Sequence, residues 1–189
     1  LTTKVTTFAG SGSAGDTNNN NGLLARFWKP REMTTDGTNL YVAESTGHKI
    51  RQVVISTTAV SKLAGKYGGG SDDGAYNVAE FWYPNGVTTD GTNVYVAMGS
   101  IRKIVISTKV TSTLISGLAD VLGITSDGTN LYITDKGDHI VEKVVISSLQ
   151  RSTIAGTGSS GSNDATGTSA SFNEPRGITT DGTNLYVAD

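Results

Sequence analysis

The stretch Thr35-Asp36-Gly37-Thr38-Asn39-Leu40-Tyr41-Val42-Ala43 occurs four times in the chain with small changes. The other copies are residues 89–97, 126–134 and 180–188, and the aspartates of the four copies are separated by 54, 37 and 54 residues. Self-similarity at a nearly fixed spacing is the sequence signature of a repeat architecture. The chain is therefore interpreted as a tandem array of one structural unit.

Each copy has the pattern of a β-hairpin, because an Asp-Gly turn is followed by a β-branched and aromatic run. A second apolar block follows the first three copies, at residues 50–56, 101–107 and 141–147. A third block ends in glycine at residues 60–65, 111–117 and 152–156, and residues 4–10 resemble a leading copy of it. Helical periodicity is absent. One unit is thus predicted to be four short antiparallel strands.

A four-stranded sheet with two apolar faces needs neighbours on both sides, and radial stacking around an axis supplies them. We predict an all-β fold, a β-propeller of four-stranded antiparallel blades with about three and a half to four blades. The repeat units are 11–65, 66–117, 118–156 and 157–189, plus residues 1–10 as a fourth strand. Residues 1–189 form one propeller domain or part of a larger one; closure with four blades, the last incomplete, is the alternative.

Composition excludes several classes of function. The formal net charge is −2, which does not provide the basic surface of a nucleic-acid-binding protein. The chain has no cysteine, so disulfides and thiolate metal sites are excluded. No run of 18 apolar residues is present, so no membrane span is expected, and no sequence motif indicates a cofactor.

The loop that links each fourth strand to the first strand of the next unit varies in length. From the closing glycine to the next Asp-Gly pair it measures 25 or 26 residues in three copies but only 10 in the third, between Gly117 and Asp127. Long loops at one position of a repeat lie on one face of the assembly, which is often the binding face.

The repeat resembles the NHL family of β-propellers along essentially the whole chain. The motif Phe-x-x-Pro-x-Gly occurs at residues 81–86 and 172–177, and a His-x-Ile-Arg block occurs at residues 48–51. The first copy departs from the pattern with Glu32 where glycine is expected, and the third lacks the Phe and Pro. The resemblance implies a propeller, typically six-bladed and mostly a binding platform, of the bacterial secreted or surface type. Some relatives are lyases or bind RNA, so the fold does not decide the function.

Polar residues at repeated positions have structural explanations. His48 and His139 each follow a strand tyrosine by seven residues, which favours a repeated structural role, such as a bond to a neighbouring backbone carbonyl, over catalysis. Glu44, Asp135 and Asp189 share another position and are interpreted as turn residues that accept backbone hydrogen bonds. The acids of the long loops are too few for the usual calcium site, and no metal site is predicted.

The candidate binding residues lie beside the Phe-x-x-Pro motif. They are aromatic, cationic or amide side chains: Trp28, Arg31, Trp82, Tyr83, Asn85 and Arg176. Trp and Arg dominate binding hot spots when they project from one surface. The alternative is that the tryptophans pack at blade edges, since large aromatic rings are usually mostly buried. Phe27, Phe81 and Phe172 are assigned to packing.

The sequence therefore favours a non-catalytic propeller, extracellular or on the bacterial cell surface, that recognises a protein or glycan through its loop face. Whether the chain is an enzyme stays open, although no catalytic set is identified. One alternative is a lyase- or hydrolase-type enzyme with its site in the central channel. Another is an assembly subunit that self-associates through open blade edges.

Overall fold

The computed structural model describes residues 4–118 and 120–189, in which regular structure is strand except for two 3₁₀ turns at Gly22–Leu24 and Gly167–Ser169. Residues 1–3, the start of the predicted leading unit, lie outside the described residues. Within the described part, no helix is long and apolar enough to cross a membrane.

Fourteen strands of the described residues form three four-stranded sheets and one two-stranded sheet, all antiparallel and in sequential order. The first sheet contains β1 (Pro30–Thr35), β2 (Asn39–Glu44), β3 (Lys49–Val54) and β4 (Val60–Ala64). The second contains β5 (Gly86–Thr89), β6 (Asn93–Ala97), β7 (Ile101–Val105) and β8 (Thr111–Ile115). The third contains β9 (Val121–Ser126), β10 (Asn130–Asp135), β11 (Ile140–Val145) and β12 (Arg151–Ala155). The fourth contains β13 (Gly177–Thr180) and β14 (Leu185–Ala188).

The repeated motif fixes each first hairpin by side-chain hydrogen bonds. One carboxylate oxygen of Asp36 accepts from the backbone N–H groups of Thr38 and Asn39, at 2.8 and 2.6 Å. The other accepts from the Tyr41 hydroxyl at 2.7 Å, and Gly37 takes the positive φ of 85° that the turn requires. Burial alone would raise the pKa of Asp36, but these hydrogen bonds outweigh it and lower the pKa to about 2. The same network recurs at Asp90, Asp127 and Asp181.

The sheets are arranged as blades, because their first strands pack against one another in sequence. β1 contacts β5, β5 contacts β9, and β9 contacts β13, so these four strands lie nearest the axis. Apolar side chains fill the space between adjacent sheets, with Phe81 and Leu63 between the first two and Ile101 and Leu131 between the next two. The predicted all-β propeller architecture is confirmed as an open arc of three complete blades and one half blade.

One strand prediction is wrong. Residues 4–10 are not a strand and join none of the four sheets. A fourth strand needs a third strand beside it, and every third strand of the described residues already has its partner. Instead, Phe8 and Ala9 line an apolar hollow of about 260 Å³ against Phe27, Leu40 and Val53, on the face of the first sheet that no other sheet covers.

Candidate functional site

The long links and the β2–β3-type turns lie at the same end of the blades, where the strands nearest the axis begin. We call this end the loop face. It comprises residues 11–29, 66–85 and 157–176 together with the turns that follow β2, β6 and β10. The Asp-Gly turns lie at the opposite end of the same strands.

Two fully buried arginines hold the long links in place. Arg51 donates to the carbonyl oxygens of Arg26 and Thr17, at 3.0 and 3.1 Å, and its guanidinium lies 5.2 Å from the ring of Phe27. Arg102 occupies the same repeat position in the second sheet. It donates to the carbonyl oxygens of Glu80 and Asp72, at 2.8 and 2.9 Å, over the ring of Phe81.

The third sheet supports this role for the arginines. Glu142 stands at the corresponding position and pairs with Arg151 at 2.6 Å. This is the unit whose link is short, so it has no long loop for an arginine to hold. The arginines therefore stabilise the loop face and are not free to bind a ligand.

The predicted structural role of the repeated acids is confirmed. Glu44 accepts from the backbone N–H of Trp28 at 3.1 Å, and Asp189 accepts from that of Asn173 at 2.6 Å. Asp135 accepts from the N–H groups of Gly137 and Asp138 in its own turn. Burial raises the pKa of Glu44, although Arg51 at 2.9 Å acts in the opposite direction.

The histidines also have the predicted structural role, but the bonded group differs. His48 Nδ1 accepts from the backbone N–H of Tyr83 at 3.3 Å, and His139 Nδ1 accepts from that of Glu174 at 3.1 Å. The expected partner was a carbonyl, whereas the structure offers an amide. Tyr83 and Glu174 each precede a proline and have positive φ angles of 49° and 62°. The histidine hydrogen bond stabilises this uncommon backbone conformation.

Two of the four loop aspartates face cations of the protein itself. Asp16 pairs with Lys49, and Asp73 pairs with Arg102 at 2.7 Å. Among residues 4–118 and 120–189, no group of three or more acids and histidines is placed to hold a metal ion.

Four aromatic side chains project from the loop face. We call Trp28, Tyr67, Trp82 and Tyr83 the aromatic ridge; Trp82 is 56% exposed and Tyr67 is 69% exposed. Trp28 packs against Tyr67 with ring centroids 6.5 Å apart, and Trp82 meets Tyr83 edge to face at 5.3 Å.

Adjacent residues of the first sheet connect these two pairs. His48 contacts both Trp82 and Tyr83, and the ammonium of Lys49 lies 5.9 Å from the Tyr67 ring. Because His48 and Lys49 are consecutive, the two ring pairs lie next to each other on the loop face.

The six residues predicted from the sequence fall into two places. Trp28, Trp82 and Tyr83 belong to the aromatic ridge, which gains Tyr67. Arg31, Asn85 and Arg176 instead line a cavity among the strands nearest the axis. The three phenylalanines assigned to packing are all buried or half-buried, and Phe81 is completely enclosed.

Glu32 is a site residue that the sequence prediction missed. It replaces the glycine of the repeat, and a bulge between Pro30 and Met33 lets its carboxylate accept from the backbone N–H of Val87 at 3.1 Å. Burial raises the pKa of Glu32 to about 7, against the smaller effect of the Val87 hydrogen bond. A carboxyl that titrates near neutrality in a cleft is a recognised marker of a functional site.

This shift predicts a pH-dependent stability. The folded state binds the Glu32 proton more tightly than the unfolded state, so this contribution is full below about pH 4.5 and is lost as the pH rises through about 7. Glu32→Gln should remove the effect and be more stable than the wild type at about pH 8, by roughly 1–2 kcal/mol after allowing for solvent screening. Urea unfolding at several pH values measures it; parallel stability profiles of the two proteins would contradict it.

Comparison with known proteins supports the fold and leaves the family open. No family model matches the chain, and a search of curated proteins found no match. A chain of the nidogen/laminin complex aligns with a TM-score of 0.59 and 14% identity over 85% of this chain and 72% of its own length. A catalytically inactive virginiamycin B lyase from Staphylococcus aureus, solved with quinupristin, aligns with a TM-score of 0.58 and 16% identity over 84% of this chain and 48% of its own. An auxiliary nutrient binding protein from Bacteroides thetaiotaomicron gives a TM-score of 0.54 and 16% identity over 80% and 42%.

These similarities establish a β-propeller-like fold, and at such low identity they establish nothing more. The chain spans less than half the length of the lyase and of the nutrient binding protein. Proteins of this shape include both an enzyme and binding proteins, so the function must be argued from the site.

Proposed function

We propose that this chain is a ligand-binding propeller that recognises a protein or glycan through the aromatic ridge of its loop face. Placement outside the cell or on a bacterial cell surface, and the NHL type of repeat, are parts of the same proposal. They rest on the sequence resemblance, whereas the binding role rests on the site.

The observation that carries the proposal is the clustering of exposed rings. Large apolar side chains exposed singly are ordinary, but a contiguous group of them marks an interaction surface. Trp28 and Trp82 occupy the same repeat position, where the last copy has Asn173. The repeat therefore accepts a small polar residue there, which argues against a packing requirement for tryptophan.

The support beneath the ridge favours binding with little reorganisation. The backbone N–H of Trp28 is held by Glu44, and that of Tyr83 is held by His48. Arg102 anchors the link that carries Tyr67 and Trp82. A surface ordered before contact loses less conformational entropy when it binds.

The test combines a glycan array and a panel of surface proteins with intrinsic fluorescence. Trp28 and Trp82 are the only two tryptophans of the chain, so binding at the ridge should change the tryptophan emission directly. The double variant Trp28→Asn/Trp82→Asn introduces the residue that the last copy has at this position. It should lower the affinity for each ligand by roughly thirtyfold, as loss of a hot spot does.

The control is Leu149→Thr, which removes an exposed apolar side chain from a turn at the opposite end of the blades. Thr58 stands at the same position in the first sheet, so this variant also copies a residue that the repeat already uses. It should bind as the wild type does. Unchanged affinity of the tryptophan variant, with its melting temperature retained, would rule out the ridge as the binding surface.

A further inference from the structure

The four strands nearest the axis bring one repeat position to the same level around that axis. This position directly precedes the repeat glycine, which Glu32 replaces in the first copy. Its residues are Arg31, Asn85, Leu122 and Arg176. Together with Glu32, Gly123 and Gly177 they line one cavity of about 240 Å³. Two cations, an amide and an apolar side chain therefore converge on a single opening.

Both guanidinium groups retain donors for a ligand. Among the described residues Arg31 makes no salt bridge, and Arg176 makes only a 3.3 Å contact with the exposed carboxylate of Glu174. Exposed ion pairs of this kind are weak, so a better-placed anion can replace the contact. This situation contrasts with Arg51 and Arg102, whose guanidinium groups are enclosed and bonded to the loops.

We propose that this cavity binds the carboxylate group of a small ligand, held by Arg31 and Arg176. A guanidinium matches a planar carboxylate with two parallel hydrogen bonds, and Leu122 covers the apolar side of the opening. The site is separate from the aromatic ridge, so it stands whether or not the ridge binds a glycan or a protein.

Glu32 makes this binding depend on pH. It lies in the same cavity and is negative only above its pKa of about 7. The other titratable groups that line the two cavities touching Glu32 are Arg31, Arg176 and Tyr186. A bound carboxylate is repelled less when Glu32 is protonated, so its affinity should fall as the pH rises through 7.

The experiment is a titration followed through the backbone amides by NMR. The probes are D-glucuronate, its uncharged counterpart D-glucose, and N-acetylglycine as a peptide-like carboxylate. Arg31→Asn/Arg176→Asn introduces the residue already present as Asn85, so the variant is expected to fold. Lys103→Gln/Lys143→Gln is the matched control, because it changes the net charge equally at a position where the first sheet has Gln52.

Glucuronate or N-acetylglycine should shift the amide of Val87, and the tighter of the two identifies a sugar acid or a peptide terminus as the preferred source. The arginine variant should lose affinity by about tenfold or more, while the lysine variant should not. Glu32→Gln should bind at about pH 8 as the wild type does at about pH 6. The proposal would be overturned if glucose shifted the amides as much as glucuronate does, or if the lysine variant lost as much affinity as the arginine variant. Unchanged affinity in the arginine variant would also overturn it.

Discussion

Arg51→Met should lower the free energy of unfolding by about 3–5 kcal/mol, because it leaves a buried carboxylate without its cation. Arg51 and Glu44 are both 0% exposed, and their side chains are 2.9 Å apart. The substitution also removes the donors to Arg26, Thr17 and Asn18 in the first long link. In a chain of this length the midpoint of thermal unfolding should fall by roughly 10 °C.

The second sheet provides the matched comparison. Arg102→Met removes the same side chain at the same repeat position, but its acid, Asp73, is 50% exposed and can be solvated. Its cost should be smaller by about 1–2 kcal/mol. Glu44→Met introduces the residue that the second sheet has as Met98, and should recover part of the loss when combined with Arg51→Met. Urea unfolding of the wild type and the four variants provides the test, and a strictly additive double variant would contradict the proposed pairing.

The fold was predictable because its determinants are local. Asp36 and Gly37 specify the turn, Leu40 to Ala43 specify the strand after it, and the repetition of this pattern specifies the stacking of sheets. Residues 4–10 were predicted incorrectly for the same reason. Their sequence resembles a fourth strand, but whether a strand forms depends on a partner, and no free third strand lies beside them.

The candidate site was predictable only where the repeat itself gave a signal. Trp28 and Trp82 share a position, so their common face followed from periodicity. Tyr67 stands where the other long links have Gly12 and Gly158, so periodicity gave no reason to select it. Its place in the ridge depends on how the link folds over Lys49.

Glu32 and the arginines depend on contacts between distant parts of the chain. Glu32 was visible as a departure from glycine, but its raised pKa arises from burial beside the next sheet. One feature of the sequence indicated the role of Arg51. The unit with the short link has Glu142 at the position of the arginines, so loop and arginine are absent together.

The glycine position near the axis leads to the second large prediction. A Cβ added at Gly123 would lie 2.2 Å from the carbonyl oxygen of Arg176, which is backbone and cannot rotate away. That oxygen also accepts from the Thr134 hydroxyl at 2.7 Å, and Thr134 in turn accepts from the Gly123 N–H. Gly123→Ala should therefore push the fourth sheet from the third and cost about 3 kcal/mol or more.

Gly177→Ala is the control for this steric argument. Gly177 occupies the same repeat position, but an added Cβ would meet only the Ala188 side chain, at an ordinary 3.6 Å. Neither glycine has a positive φ, so alanine is not strained at either position. Gly177→Ala should be neutral, or more stable by about 0.5 kcal/mol through a less flexible unfolded chain.

Amide hydrogen exchange distinguishes the proposed cause from general destabilisation. In Gly123→Ala the amides of β13 and β14 should lose protection first, while those of the first two sheets stay protected, because only the contact between β9 and β13 is strained. Equal stability of the two alanine variants would show that the close approach of the strands around the axis does not constrain this position. Glu32 is the informative exception, because a bulge in β1 turns its side chain toward the Val87 N–H and so allows a large residue where an added Cβ at Gly86 or Gly123 would meet a backbone oxygen.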